Sequence, residues 1–235
     1  MISHNGKWMK PPVPWKAMAM SRVLWSNILA VLCHEAPMSA IMMFLPMYMR
    51  DVLHFCMKTN GMLSALPIAC FLVFKILATH LNQMLQVVFQ IDRTTLAKGF
   101  NFVACLGLGG FLLSVTNLDC QNRITAVILI CLSIGFAGFH TPGCLSTLLS
   151  IAPTFSGTIA SIAYFFASVS AMIIPLVVKS VVIYGTKAEW QLVLIATGCI
   201  ALLPVVFFTL FGSAEEQPWA QPQQAKLSTV SVEKF

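Results

Sequence analysis

Six long apolar runs follow one another along the 235 residues, and no other feature constrains the fold as tightly. They cover residues 23–49, 61–81, 99–115, 124–149, 157–178 and 191–211. A hydrocarbon core about 30 Å thick takes roughly 17 to 25 helical residues to cross, and every run reaches or exceeds that length. The runs are continuous rather than alternating, which excludes barrel strands and leaves the helix as the element that satisfies its own backbone in lipid. The fold class is therefore an all-α membrane protein with six transmembrane helices. Composition agrees: 58% of the residues are apolar and 9% charged, against about a quarter charged in a soluble domain. A soluble surface cannot be built from this chain, which argues against most globular enzymes.

The flanks of the runs set the organisation. Residues 1–22 hold Lys7, Lys10, Pro11, Pro12, Pro14 and Lys16, a basic, proline-rich approach to the membrane. Residues 212–235 are polar and rich in Gln and Pro, and are expected to form a disordered tail. Because the number of spans is even, both termini lie on one side. That side carries Lys7, Lys10, Lys16, Arg22, Arg93, Lys98, Lys226 and Lys234, against Arg50, Lys58, Arg123, Lys179 and Lys187 on the other. Positive loops stay inside, so both termini are expected in the cytoplasm. The formal charge of +6 is spread singly between apolar blocks, so it orients helices rather than forming a nucleic-acid patch.

Of eight cysteines, six lie within apolar runs as small hydrophobes. Cys56 and Cys120 fall in loops on the same side, which allows a disulfide between them. No CxxC spacing occurs, so no zinc site is expected.

Polar groups inside the spans are the functional candidates, because an ionisable side chain in a bilayer is costly. His34 and Glu35 lie midway along the first span. Asn27, Val31, His34 and Met38 share one face by their spacing, and Pro37 is expected to break the helix just beyond. In the fourth span His140 precedes Pro142 and Gly143, repeating an imidazole followed by a break. Transporters built from three-helix repeats place broken helices at corresponding positions near the solute, and the first and fourth spans would be those partners. A His-Glu pair can carry a proton. The alternative is that both histidines are buried, hydrogen-bonded structural groups beside tolerated proline kinks. Lys75, inside the second span, either snorkels to the interface or presents a positive charge to a cavity.

Two motifs fail on inspection. His34-Glu35-Ala36-Pro37-Met38 starts like a zinc-protease helix, but the second ligand position is Met38. Gly107-Leu108-Gly109-Gly110 lies within an apolar helix without a preceding strand, so close helix packing explains it better than dinucleotide binding.

The loops and span ends carry a resemblance. Pro12-Val13-Pro14-Trp15-Lys16, Leu45-Pro46-Met47-Tyr48, Asn60-Gly61-Met62-Leu63-Ser64-Ala65-Leu66-Pro67, Ile151-Ala152-Pro153 and Phe211-Gly212-Ser213-Ala214-Glu215-Glu216-Gln217-Pro218-Trp219 resemble the anion:cation symporter family of the major facilitator superfamily. The resemblance runs from about Pro12 to Trp219. It implies that the six spans form one half, the C-terminal one, of a twelve-span major facilitator bundle. His34 stands where family members carry an arginine or an acid. Family aromatic positions read Ala36 and Ser39 here, and the Asn-His-x-Asp before Ile-Ala-Pro reads Thr147-Leu148-Leu149-Ser150.

The resemblance implies a secondary symporter of phosphate or small organic anions working by alternating access, with Na+ or H+ as the coupling ion and no other cofactor. Its expected partners are the bilayer, a small anionic solute, and a second copy or an N-terminal half. The solute pathway would pass Asn27, His34, Glu35, Lys75 and His140. The rival reading is a non-transporting membrane partner or regulatory protein derived from a transporter half. Family members occupy plasma, lysosomal and vesicle membranes, and all three stay open.

Overall fold

The computed structural model describes residues 12–221; residues 1–11 of the basic approach and 222–235 of the expected tail lie outside the described residues. A one-turn helix, α1 (Trp15–Ala19), leads into α2 (Arg22–Asp51), α3 (Met57–Val88) and α4 (Arg93–Val115). The fourth span is divided into α5 (Arg123–Ala137) and α6 (Ser146–Ser150), followed by α7 (Ser156–Val181) and α8 (Lys187–Phe211). Six segments are long and apolar enough to cross a membrane.

Several helices start before their apolar runs because polar caps set the first turn. The Ser21 side chain accepts the Leu24 backbone N–H, and the Asp92 carboxylate accepts those of Thr94 and Thr95. Thr186 and Glu189 form a reciprocal capping box at α8. Each cap satisfies backbone donors that the helix itself leaves unpaired.

α4 packs most extensively against α8 and α5, α2 against α8 and α7, and α3 against α5. Small residues permit the α4–α8 crossing: a Cβ on Gly109 would lie 2.8 Å from the Gly198 carbonyl oxygen. α3 and α7 are the peripheral helices. Only 11% and 17% of their apolar stretches are buried, against 61% for α2. Their outer faces expose Leu72, Ile76, Phe165, Met172 and Leu176.

Apolar side chains fall into two main clusters, one around Met38, Phe44, Leu112 and Trp190, the other around Val31, Leu148, Ile159 and Phe208. Between them runs a thin polar layer, which holds the candidate site.

One expectation changes. Residues 212–221 do not leave the bundle as a tail: the Gln217 N–H donates to the Ile151 carbonyl at 2.8 Å, and the Ala214 N–H to Thr94 Oγ1 at 3.1 Å. Ala220 is buried beneath them. Backbone groups of this segment satisfy the ends of α4 and α6, so it reads as a strap rather than as free chain. All eight cysteines are free thiols, including Cys56 and Cys120.

Candidate functional site

α2 continues unbroken through Pro37 and Pro46, contrary to the break expected at Pro37. Proline removes one backbone hydrogen bond, and packing against neighbouring helices holds the remaining turns together. Pro37 is buried in that contact.

The fourth span keeps helical backbone from Cys120 to Ser150 but changes pitch around Pro142. Backbone bonds first tighten, with Gly138 N–H donating to Gly135 O and Phe139 N–H to Phe136 O. They then loosen into a wide turn over Thr141–Leu145, in which the Ser146 N–H reaches back to Thr141 O. A proline without an N–H, followed by Gly143, fits such a change of pitch. Gly143 also lets the turn touch α4, because a Cβ there would stand 2.6 Å from the Asn101 backbone nitrogen. Gly138 touches α3 in the same way, at 2.8 Å from the Lys75 nitrogen.

This geometry brings the two sequence-flagged histidines face to face. The His34 and His140 rings stack with centroids 3.9 Å apart and planes within 6° of parallel. Both residues are 4% exposed. His34 Nε2 lies 3.1 Å from the Ala137 carbonyl oxygen, which can only accept, so Nε2 carries the hydrogen. His34 Nδ1 faces Glu35 Oε1 at 3.4 Å. His140 Nδ1 lies 3.2 Å from Asn101 Oδ1, and the Cys105 thiol donates weakly to the same oxygen at 3.8 Å. Three buried polar atoms of this layer have no hydrogen-bond partner: His34 Nδ1, His140 Nε2 and Asn101 Nδ2.

Glu35 connects the layer to the outside. Its side chain is 38% exposed while its neighbour's imidazole is 5% exposed, so the carboxylate sits at the rim of the buried pair. Tyr164 on α7 and Lys75 on α3 lie within electrostatic range of it. Lys75 is half-buried, with its ammonium 5.5 Å from the Phe71 ring centroid.

Asn27 does not join the imidazoles. Its amide donates to Val23 O at 2.8 Å within its own helix, and Cys144 Sγ lies 3.5 Å from its carbonyl oxygen. It ties α2 to the wide turn one layer away. Asn101 was missed, although an amide within the third apolar run is the same kind of signal that marked His34 and His140. Among the described residues no group of three His, Cys, Asp or Glu side chains is placed to hold a metal ion.

Below the polar layer an apolar crevice of about 290 Å³ opens between α2, α7 and α8, lined by Ala36, Pro37, Ala40, Ile173, Val177 and Thr197. Ala36 and Ala40, where larger side chains would fill the space, keep it open.

No protein-family model matches the chain. Sialin of Ovis aries is 31% identical over 209 residues, an alignment covering 88% of this chain and 42% of that protein. Vesicular glutamate transporter 1 of Xenopus laevis is 28% identical over 90% of this chain and 36% of its own length. Human sodium-dependent phosphate transport protein 4 is 28% identical over 92% of this chain and 51% of its own. The chain thus spans about half the length, or less, of these curated relatives, which are transport proteins and not enzymes. With six segments long and apolar enough to cross a membrane and similarity to sialin, a vesicular glutamate transporter and a phosphate transport protein over 88–92% of its residues, the chain is a multi-pass, transporter-like membrane protein.

Proposed function

We propose that this chain forms the C-terminal half of a secondary symporter for phosphate or small organic anions. The observation that carries the reading is the polar layer at mid-depth, where His34, Asn101 and His140 meet beside a broken helix and Glu35 opens to the rim. Membrane proteins retain such groups at solute and ion pathways, because elsewhere in a bilayer they only destabilise. Lys75 adds a positive charge suited to an anion on the same side. The wide turn at Thr141–Leu145 is the hinge, and alternating access moves α5 and α6 about it. A gradient of Na+ or H+ supplies the work. The open faces of α3 and α7 are covered by a second six-helix bundle, either an N-terminal half or a second copy.

The same two open faces also favour a second reading, in which the chain docks on another membrane protein and moves no solute. Uptake of radiolabelled phosphate and small carboxylate anions into proteoliposomes separates the two. The transport reading expects accumulation in the wild type and a loss of at least about tenfold in His34→Ala and Glu35→Gln, the effect of about 1.4 kcal/mol at a pathway group. Wild-type rates in both variants reject it, as does absence of accumulation both by this chain alone and by this chain joined to the N-terminal half of a relative such as sialin.

A further inference from the structure

The stacked imidazoles determine how many protons the polar layer can hold. His34 donates from Nε2 to the Ala137 carbonyl, so in its neutral form Nδ1 is a bare lone pair. That lone pair faces Glu35 Oε1 at 3.4 Å, buried and without another partner. If Glu35 is ionised as well, two acceptor atoms stand 3.4 Å apart with no hydrogen between them. One proton placed between the two atoms turns the contact into a hydrogen bond, whichever atom carries it.

His140 limits the number to one. Its ring lies 3.9 Å above that of His34, where two imidazolium charges would repel strongly. Asn101 holds it by Nδ1, and Nε2 has no acceptor to receive a second hydrogen. The charged groups near the layer on the surrounding helices are Glu35 on α2 and Lys75 on α3. Cys33 on α2, Cys105 on α4, Cys144 on the wide turn and Tyr164 on α7 are the other titratable groups nearby. Cys199 on α8 is exposed and stands apart.

We propose that His34, Glu35 and His140 form a site for a single proton, held between His34 Nδ1 and Glu35 Oε1, with the stacked His140 ring kept neutral. Because His140 immediately precedes the wide turn, this proton sits at the hinge. Its loss leaves two acceptor atoms on α2 with no hydrogen between them, and a second proton drives the rings apart; either event changes how α2 meets the break. The inference deepens the pathway reading of the same residues and rests on it for its role in transport. Its test does not, since a chain that moves no solute still binds its proton.

The test is nitrogen-15 NMR of the full chain in lipid nanodiscs with labelled histidine, with His34→Gln and His140→Gln used for assignment. Between about pH 5 and 8, where imidazoles titrate, His34 Nε2 is expected to stay protonated. His34 Nδ1 is expected to show a shared or bound proton at neutral pH and to lose that signature in Glu35→Gln. His140 is expected to keep one protonated and one bare nitrogen throughout. A doubly protonated His140 within this range overturns the proposal, as does a bare Nε2 on His34 or an Nδ1 signal indifferent to Glu35→Gln. Should a variant fail to fold, spectra of the wild type decide by count: at most four of the five histidines become doubly protonated, and a fifth overturns the proposal.

Discussion

Replacing Gly143 with alanine probes the contact that holds the broken helix against α4. The added Cβ would meet the Asn101 backbone nitrogen at 2.6 Å, its Cα at 3.0 Å and its Cβ at 3.1 Å, whereas ordinary contact begins at 3.4 Å. All three obstacles belong to the backbone or to its first side-chain carbon, so none can rotate away. The wide turn and α4 must separate by close to an ångström, and overpacking of that kind costs about 1 to 3 kcal/mol. The separation also stretches the His140–Asn101 hydrogen bond, 3.2 Å long at rest, for a further loss of about 0.6 kcal/mol typical of membrane interiors. A destabilisation of about 1.6 to 3.6 kcal/mol lowers the folded-to-unfolded ratio by a factor of roughly 15 or more. The assay is equilibrium unfolding in mixed micelles of a mild detergent and dodecyl sulfate, followed by circular dichroism. Gly110→Ala is the control: nothing lies within 4 Å of its added Cβ, and a mid-helix glycine replaced by alanine gains about 0.5 to 1 kcal/mol. If the two variants unfold together, the reasoning about the break is refuted.

Two further outcomes lie at the end of the bundle where α2 meets the α7–α8 turn. Gly185 has φ of +70°, and a Cβ there would stand 2.9 Å from Asp51 Oδ2, the atom that accepts the Trp190 indole N–H. Gly185→Ala is therefore expected to destabilise by about 1 to 2 kcal/mol in the same titration, and stability equal to wild type would contradict this. The exposed Cys56 thiol lies 3.2 Å from the Thr59 hydroxyl, and hydrogen bonding from Thr59 holds it below the ordinary thiol range. A lowered value means more thiolate at neutral pH, so Cys56 should alkylate with a midpoint below that of a free thiol, and Thr59→Val should move the midpoint upward. An unchanged midpoint would show that Thr59 does not act on the thiol.

Much of this architecture was legible in the residues, for unequal reasons. The six spans arise from unbroken apolar runs, because lipid allows those residues few other conformations. Their ends were harder to place, since caps such as Asp92 and Thr186 are polar and lie outside the apolar signal. Pro37 and Pro142 are alike in local sequence and differ in the fold. Their neighbours make the difference: Gly143 comes directly after Pro142 and sits at a close contact with α4, while Pro37 belongs to a helix gripped by α7 and α8. His34 and His140 were each marked as polar groups in apolar surroundings, yet their stacking depends on the approach of two helices more than a hundred residues apart in the chain. Local pattern carries no such information. Residues 212–221 have the composition of free chain, whereas their backbone groups close the ends of α4 and α6.

The central claim is that the rim of the polar layer faces a solute pathway rather than lipid. Cysteine accessibility in membranes tests it directly, in a background where the native cysteines are replaced by serine or alanine. Single cysteines at Glu35 and at Tyr164, which is 43% exposed, are compared with one at Ile128, exposed on the outer surface of α5 at 53%, using a membrane-impermeant thiol reagent. The account expects labelling at Glu35 and Tyr164 that excess phosphate or carboxylate anion slows, with none at Ile128. Positions 35 and 164 as inert as 128 would place that face in lipid and contradict it.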